Sequence, residues 1–274
     1  MSFSIAAALF LSALAAATGM AVYRRGRDRM YASLAARSSD CACAVPFEPD
    51  LSHAHAQTLA PVFAAERLVR VPEFLDPTML ARLRDEALSS LARTEHSFIP
   101  LHKKGGTLSY EQILRGAPCL AAFYHSPSLQ SWISIVTRTP VVQTPVRDQS
   151  SLSVLCYRDA GDHIGWHYDH NFYRGRHFTV LLALVNRAAD TGLSQCRLER
   201  QLEDGTAREI DTSENTLVLF EGSCVRHRAT PTAAGDLRIM LSMTYSDDPR
   251  ISRVKELARR LKDTAYYGIR ALWE

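Results

Sequence analysis

Gly161-Asp162-His163-Ile164-Gly165-Trp166-His167-Tyr168-Asp169-His170 is the densest run of chemically able side chains in this 274-residue sequence. His167 and Asp169 stand two apart, so on a strand both leave the same face and can grip one ion. Taken alone, the pair reads equally well as two polar residues on a solvated strand, since ten histidines and 29 acidic residues produce about one such pair by chance. His227 lies 58 residues beyond Asp169, after the apolar run Thr216–Phe220 and the turn Glu221-Gly222-Ser223, placed to add a third ligand from a neighbouring strand. Eleven residues later Arg238 sits inside the apolar strand Leu237-Arg238-Ile239-Met240-Leu241. A guanidinium there needs an anion, either a carboxylate of the protein or a bound one. Two histidines and one carboxylate on one face of an octahedral ion leave three positions open, the facial triad of non-haem Fe(II) oxygenases. A keto acid and dioxygen fill such positions. The far carboxylate of a keto diacid calls for a fixed bidentate cation, which Arg supplies better than Lys.

In this order and spacing the residues resemble the Fe(II)/2-oxoglutarate-dependent dioxygenase superfamily, nearest its prolyl 4-hydroxylase-like branch. The matching pieces are Tyr157 in Leu155-Cys156-Tyr157-Arg158, Gly161, His167-Tyr168-Asp169, the strand His177–Asn186 and Leu217-Val218-Leu219-Phe220. They continue with His227, Pro231 and Gly235-Asp236-Leu237-Arg238, and Val71-Pro72-Glu73-Phe74-Leu75-Asp76 resembles the usual lead-in, so that roughly residues 69–247 are covered. The resemblance implies a double-stranded β-helix, Fe(II) held by His167, Asp169 and His227, and 2-oxoglutarate anchored by Arg238 and hydrogen-bonded by Tyr157. It further implies O2 as oxidant, with succinate and CO2 released. Halogenating relatives carry a small residue where Asp169 stands, so the carboxylate implies hydroxylation of a C–H bond in a small-molecule, lipid or protein substrate; desaturation would leave the same signature. After the strand His177–Asn186 many members have a Gly-Gly run, whereas this chain reads Asp190-Thr191-Gly192-Leu193-Ser194-Gln195, a departure that bears on prolyl-peptide specificity. His163, His170 and His177 read as loop or supporting residues. The alternative to an enzyme is a membrane-tethered, non-catalytic jelly roll acting as a metal-binding or sensor module.

The surroundings fit an α+β chain. Asp76 is placed to cap a helix with Pro77 in its first turn, and a second helix is expected near Ser128–Val136. From Ser150 onward short runs rich in Val, Leu, Thr and Tyr (Leu152–Tyr157, Phe178–Val185, Thr216–Phe220, Leu237–Tyr245) alternate with Gly, Asp and Asn turns. The expected fold class is a double-stranded β-helix, or jelly-roll, core with buttressing helices, preceded by a single N-terminal transmembrane helix. No GxGxxG opens a helix after a strand, which leaves a dinucleotide fold unsupported.

Hydrophobic residues make up 46% of the chain and charged ones 22%, which excludes a disordered or collagen-like protein. Net charge is +3, and residues 24–29 carry all of it. The last 25 residues sum to +4 and the middle to −4, so no nucleic-acid footprint is expected on the globular part. Phe3–Tyr23 carries no charge and as a helix is long enough to cross a bilayer. Arginines on its C-terminal flank favour a single-pass anchor with the catalytic domain facing the cytoplasm, over a cleaved signal peptide or an organelle-targeting segment. The expected units are residues 1–29 (anchor and basic flank), 30–62 (linker), 63–249 (dioxygenase domain) and 250–274 (basic helix). Within the linker, Cys41, Cys43, His53 and His55 form too loose a pattern for zinc. In the tail, Ile251, Val254, Leu257, Ala258 and Leu261 recur at helical spacing, which reads as a closing helix packed on the domain or as an interfacial membrane helix.

Overall fold

The structure, a computed structural model, describes residues 2–43, 51, 53–190 and 192–267. Its elements in chain order are α1 (Ser2–Cys43), α2 (His53–Glu66), β1 (Leu68–Val71), α3 (Pro77–Ser89), β2 (Glu95–Ile99), β3 (Lys103–Leu108), α4 (Tyr110–Gly116), α5 (Pro118–His125) and α6 (Pro127–Thr137). There follow β4 (Val142–Gln143), β5 (Leu152–Tyr157), β6 (His163–His167), β7 (His177–Arg187), β8 (Leu198–Gln201), β9 (Ala207–Ile210), β10 (Leu217–Glu221), β11 (His227–Ala229), β12 (Leu237–Ser246) and α7 (Arg253–Tyr267).

The strands pair antiparallel in the order β1-β10-β7-β12-β5-β3-β6-β11-β8-β9, with β2 added to β3 and β4 to β12. Strand β3 bonds to β5 through Gly106–Leu108 and to β6 through Lys103 and Lys104, so it joins a larger sheet to a smaller one. This nearly closed antiparallel barrel with flanking helices is the expected jelly roll.

Period-two alternation decides what each strand buries. On β12, Ile239, Leu241, Met243 and Tyr245 point outward into the core shared with the helices. The intervening Arg238, Met240, Ser242 and Thr244 line the barrel cavity. On β5, Leu152 and Val154 join the helical core, whereas Ser153, Leu155 and Tyr157 face the cavity. Polar residues inside otherwise apolar strands thus share one face, the face that the chemistry needs.

The helices form where their sequences direct. Asp76 accepts from the backbone N–H groups of Thr78 (2.9 Å) and Met79 (3.1 Å), closing the first turn of α3 with Pro77 in it. Helix α6 lies over the run expected to be helical, and buries Leu129, Trp132, Ile133 and Val136.

Three segments show more than their sequence alone conveys. Residues 53–66 form α2, whose Ala56, Ala60 and Phe63 recur at four- and three-residue spacing and are buried, Ala56 and Phe63 within the core. Polar flanking residues obscured that short period in the sequence. Helix α1 runs on through residue 29, burying Tyr31 and Arg27 where it meets α4 and α5. Finally, α7 packs on the domain, but with its charged face inward. Arg259 and Asp263 are each 1% exposed, whereas Val254 is 80%, Leu257 61% and Leu261 58% exposed. Its inner neighbours are polar (Arg147, Asp148, Gln149 and Ser150), so ion pairing rather than apolar burial sets which face docks.

Among the described residues no helix is long and apolar enough to cross a membrane. The span expected over Phe3–Tyr23 draws on residues 3–11 and 13, whose side chains lie outside the described ones, as do those of Cys41, Cys43, His53 and His55.

Candidate active site

His167 closes β6, and His227 opens β11 directly opposite it in the antiparallel register. Asp169 lies beyond the end of β6 rather than on it. There the chain has left the β6–β11 ladder, and the Asp169 N–H donates to Gly222 O (2.9 Å) in the turn after β10. The carboxylate therefore reaches the histidines by a change of partner, not by simple strand alternation.

The three side chains converge, with a ligand atom of each within 4.8 Å of the others. Asp169 Oδ1 is 3.6 Å from His167 Nε2 and 3.9 Å from His227 Nε2. Each imidazole is oriented from behind: His167 Nδ1 bonds Gly165 O (2.8 Å) and His227 Nδ1 bonds Val225 O (3.0 Å). Since a carbonyl only accepts, Nδ1 carries the proton and Nε2 presents a lone pair to the shared space. Thr179 Oγ1 donates to Asp169 Oδ2 (2.5 Å), leaving Oδ1 for the same space. Ligands braced in this way suit a divalent metal ion.

The electrostatics agree. Burial pushes the Asp169 carboxyl up, but the charge of His227 and the bond to His167 outweigh it and hold the group well below the usual carboxylate range. Burial lowers His227 and Asp169 only partly restores it. At His167 burial also lowers the pKa, but the neighbouring Asp169 carboxylate, which accepts from the protonated ring and attracts its charge, wins and the net shift is upward. An ionised carboxylate beside two imidazoles is a donor set that suits a divalent cation.

The same cavity, of about 140 Å³, is lined farther in by Arg238 and Tyr157. They face each other directly across β12 and β5, with the guanidinium 5.5 Å from the tyrosine ring centre. Arg238 is 1% exposed, and its Nε has no hydrogen-bond partner among the described residues. Its terminal nitrogens meet Thr212 Oγ1 at 3.3 Å and Cys196 Sγ at 3.9 Å, both uncharged groups. A buried guanidinium so poorly answered by the protein fits an anionic co-substrate. Tyr157 is buried too, which pushes its phenol up and keeps it a hydrogen-bond donor at neutral pH.

Several lining residues escaped the sequence reading. Thr179, Lys103, Asp148 and Lys262 all border the cavity. Thr179 offered the signal of a lone polar residue in an apolar strand. Lys103 is 2% exposed, bonds Thr107 Oγ1 (2.6 Å) and has its pKa lowered by burial, and then by the charge of Lys262, to about 7. Lys262 bonds Ser150 Oγ (2.6 Å) and pairs with Asp263 (2.9 Å) and Asp148 (3.4 Å). No local pattern distinguishes these lysines from surface ones. His170 and His177 line the cavity as supporting residues, whereas Trp166 is covered by Arg228 and Asn171 closes a turn to Gly175 O.

A second cluster, His96, Asp159 and Asp162, also meets within 4.8 Å. Asp162 accepts there from the backbone N–H groups of Arg158 and Asp159, with Lys104 Nζ 3.7 Å away. That carboxylate closes the β5–β6 turn.

The sequence profile of a family described as Halogenase D matches residues 51–266. Among solved structures, the chain resembles a prolyl hydroxylase from Trichoplax adhaerens in complex with a hypoxia inducible factor peptide fragment (TM-score 0.59, 16% identity, 71% of this chain and 90% of that one). It also resembles SnoN, a non-haem α-ketoglutarate-dependent epimerase of nogalamycin biosynthesis (0.59, 16%, 72% and 82%). A third is a prolyl-4-hydroxylase from Pseudomonas putida (0.51, 16%, 70% and 97%). Comparison with curated proteins finds no match.

Proposed function

The chain belongs to the Halogenase D family, and from that premise, the fold of the Fe(II)/2-oxoglutarate oxygenases and the cavity we propose an Fe(II)- and 2-oxoglutarate-dependent oxygenase that hydroxylates a C–H bond. One observation carries the reading: the His167-Asp169-His227 cluster and the buried, poorly answered guanidinium of Arg238 line one cavity. His167, Asp169 and His227 would hold the iron; Arg238, with Tyr157 opposite, would take the far carboxylate of 2-oxoglutarate. The bound pair supplies the oxidising power by coupling O2 reduction to decarboxylation of the keto acid to succinate and CO2. The protein's part is to fix the tautomers of the two imidazoles, keep Oδ1 of Asp169 turned inward, and exclude water behind β12.

The family description favours a second reading, halogenation. A halide would need the ligand position that the Asp169 side chain fills; Thr179 bonds that carboxylate, and Gly222 O holds the backbone beneath it. This supports oxygen transfer.

The test is succinate formation from 2-oxoglutarate with added Fe(II), in the wild-type chain and in Asp169→Ala. Loss of an oriented ligand should lower turnover at least about a hundredfold, beyond the effect of losing its outer support. Undiminished turnover in the variant would sink the iron assignment, and no turnover in either would favour a non-catalytic module. Mass spectrometry of membrane extract incubated with the enzyme and chloride should show products heavier by one oxygen atom. A chlorine isotope pattern would instead establish the halogenase reading.

A further inference from the structure

The charged face of α7 docks inward and leaves Val254, Leu257 and Leu261 standing in solvent. This helix lies against β2, and the β2–β3 hairpin carries two more exposed apolar side chains, Phe98 (67%) and Leu101 at its tip (fully exposed). Five large exposed apolar groups thus stand on two elements that touch. Isolated exposed leucines are ordinary; a grouping of this kind marks an interaction surface.

Basic residues border it. Lys255 on α7 and Arg24 and Arg25 on α1 are exposed, and Arg260 is half-buried. The two helices meet around Gln149, whose Nε2 donates to Tyr31 Oη of α1 (3.5 Å) while its N–H donates to Asp263 Oδ2 of α7 (3.4 Å). Burial lowers the pKa of Arg260, and the charge of Arg24 lowers it further, so the basic flank of α1 stands close to α7.

We propose that this face, formed by α7 and the β2–β3 hairpin, docks on an anionic lipid surface. A folded protein partner would answer the apolar groups, but three features favour lipid. The rim is basic, as anionic headgroups require. Val254, Leu257 and Leu261 stand at helical spacing on α7 opposite its charged face, the pattern of a helix that lies on a membrane surface. The helix beside it, α1, begins in the uncharged run Phe3–Tyr23, whose Leu14, Met20, Val22 and Tyr23 are exposed. The docked face borders the cavity, because α7 also supplies Lys262 to its wall. The inference is independent of the chemistry proposed for the site.

Hydroxyl-radical footprinting of the full chain tests it, with and without vesicles of phosphatidylcholine and phosphatidylglycerol. Oxidation of Phe98, Leu101, Leu257 and Leu261 should slow several-fold when vesicles are added, and the protection should weaken at high salt. In Leu257→Glu/Leu261→Glu the protection of Phe98 should disappear while circular dichroism and thermal unfolding stay unchanged, since both leucines are exposed. Three results would overturn the proposal: no association with vesicles, association that leaves these four residues unprotected, or protection without lipid that grows with protein concentration, which would show a second copy covering the face.

Discussion

Gly222 leaves no room for a side chain beside Asp169: a methyl group at position 222 would stand 2.6 Å from Asp169 Cβ and 2.7 Å from its Oδ2. The backbone there has no unusual conformation, so close approach alone requires the glycine. Gly222→Ala should displace the carboxylate from the cluster. Overpacking of this kind costs about 1–3 kcal/mol, read as a lower midpoint of thermal unfolding. Fe(II) affinity, measured by calorimetry, should fall with it.

Thr179→Val keeps the shape of the side chain and removes the bond to Asp169 Oδ2. Loss of such outer support weakens metal binding about ten- to a hundredfold. The Fe(II) titration should show that drop with the fold intact. Unchanged affinity would mean that Gly222 and the two histidines suffice to aim the carboxylate.

Arg238→Lys retains the charge but loses the two-pronged geometry. KM for 2-oxoglutarate should rise about ten- to a hundredfold, the value of one charge-assisted bidentate contact, with kcat changing far less. A fall in kcat at unchanged KM would place the co-substrate carboxylate elsewhere.

His125 gives the fold a pH dependence away from the site. Burial pushes its imidazole down to about 4, and Nε2 faces the Tyr110 hydroxyl at 2.7 Å. In the unfolded chain the same group protonates near pH 6.5. Its contribution is therefore fully present above about pH 6.5 and is lost as pH falls through 4, amounting to roughly 3 kcal/mol. Denaturant midpoints measured over that window should fall steeply for the wild-type chain and less steeply for His125→Gln.

What could be read in advance follows from the physics of each signal. Arg238 was legible because a guanidinium inside an apolar strand needs an anion, and His167, Asp169 and His227 because their types and order suit one ion, whereas Tyr157 was legible only through the family resemblance. The long strands β5, β7, β10 and β12 were legible because both their faces are buried and they read as apolar runs. The short strands β1, β8, β9 and β11 were not, since three or four residues carry no period of their own and owe their shape to pairing. Thr179 and Gly222 meet Asp169 only once the chain has turned back on itself, ten residues on for Thr179 and 53 for Gly222. For α7 the amphipathic period is legible, but the side that docks is not. Periodicity reports two unlike faces, and the polarity of the neighbouring surface decides between them.

The pairing of His167 with His227, and the bond from Asp169 to Gly222, mean that the cluster exists only after strands from distant parts of the chain have found one another. A partly folded intermediate has at most the local His167 and Asp169 pair to offer, so uptake of the proposed metal would be a late event rather than a nucleus. A slip of one residue between β6 and β11 would turn His227 out of the cavity and abolish capture altogether. Iron loading in a cell or a test tube would then serve as a count of correctly registered molecules, separating them from copies that are compact but misaligned.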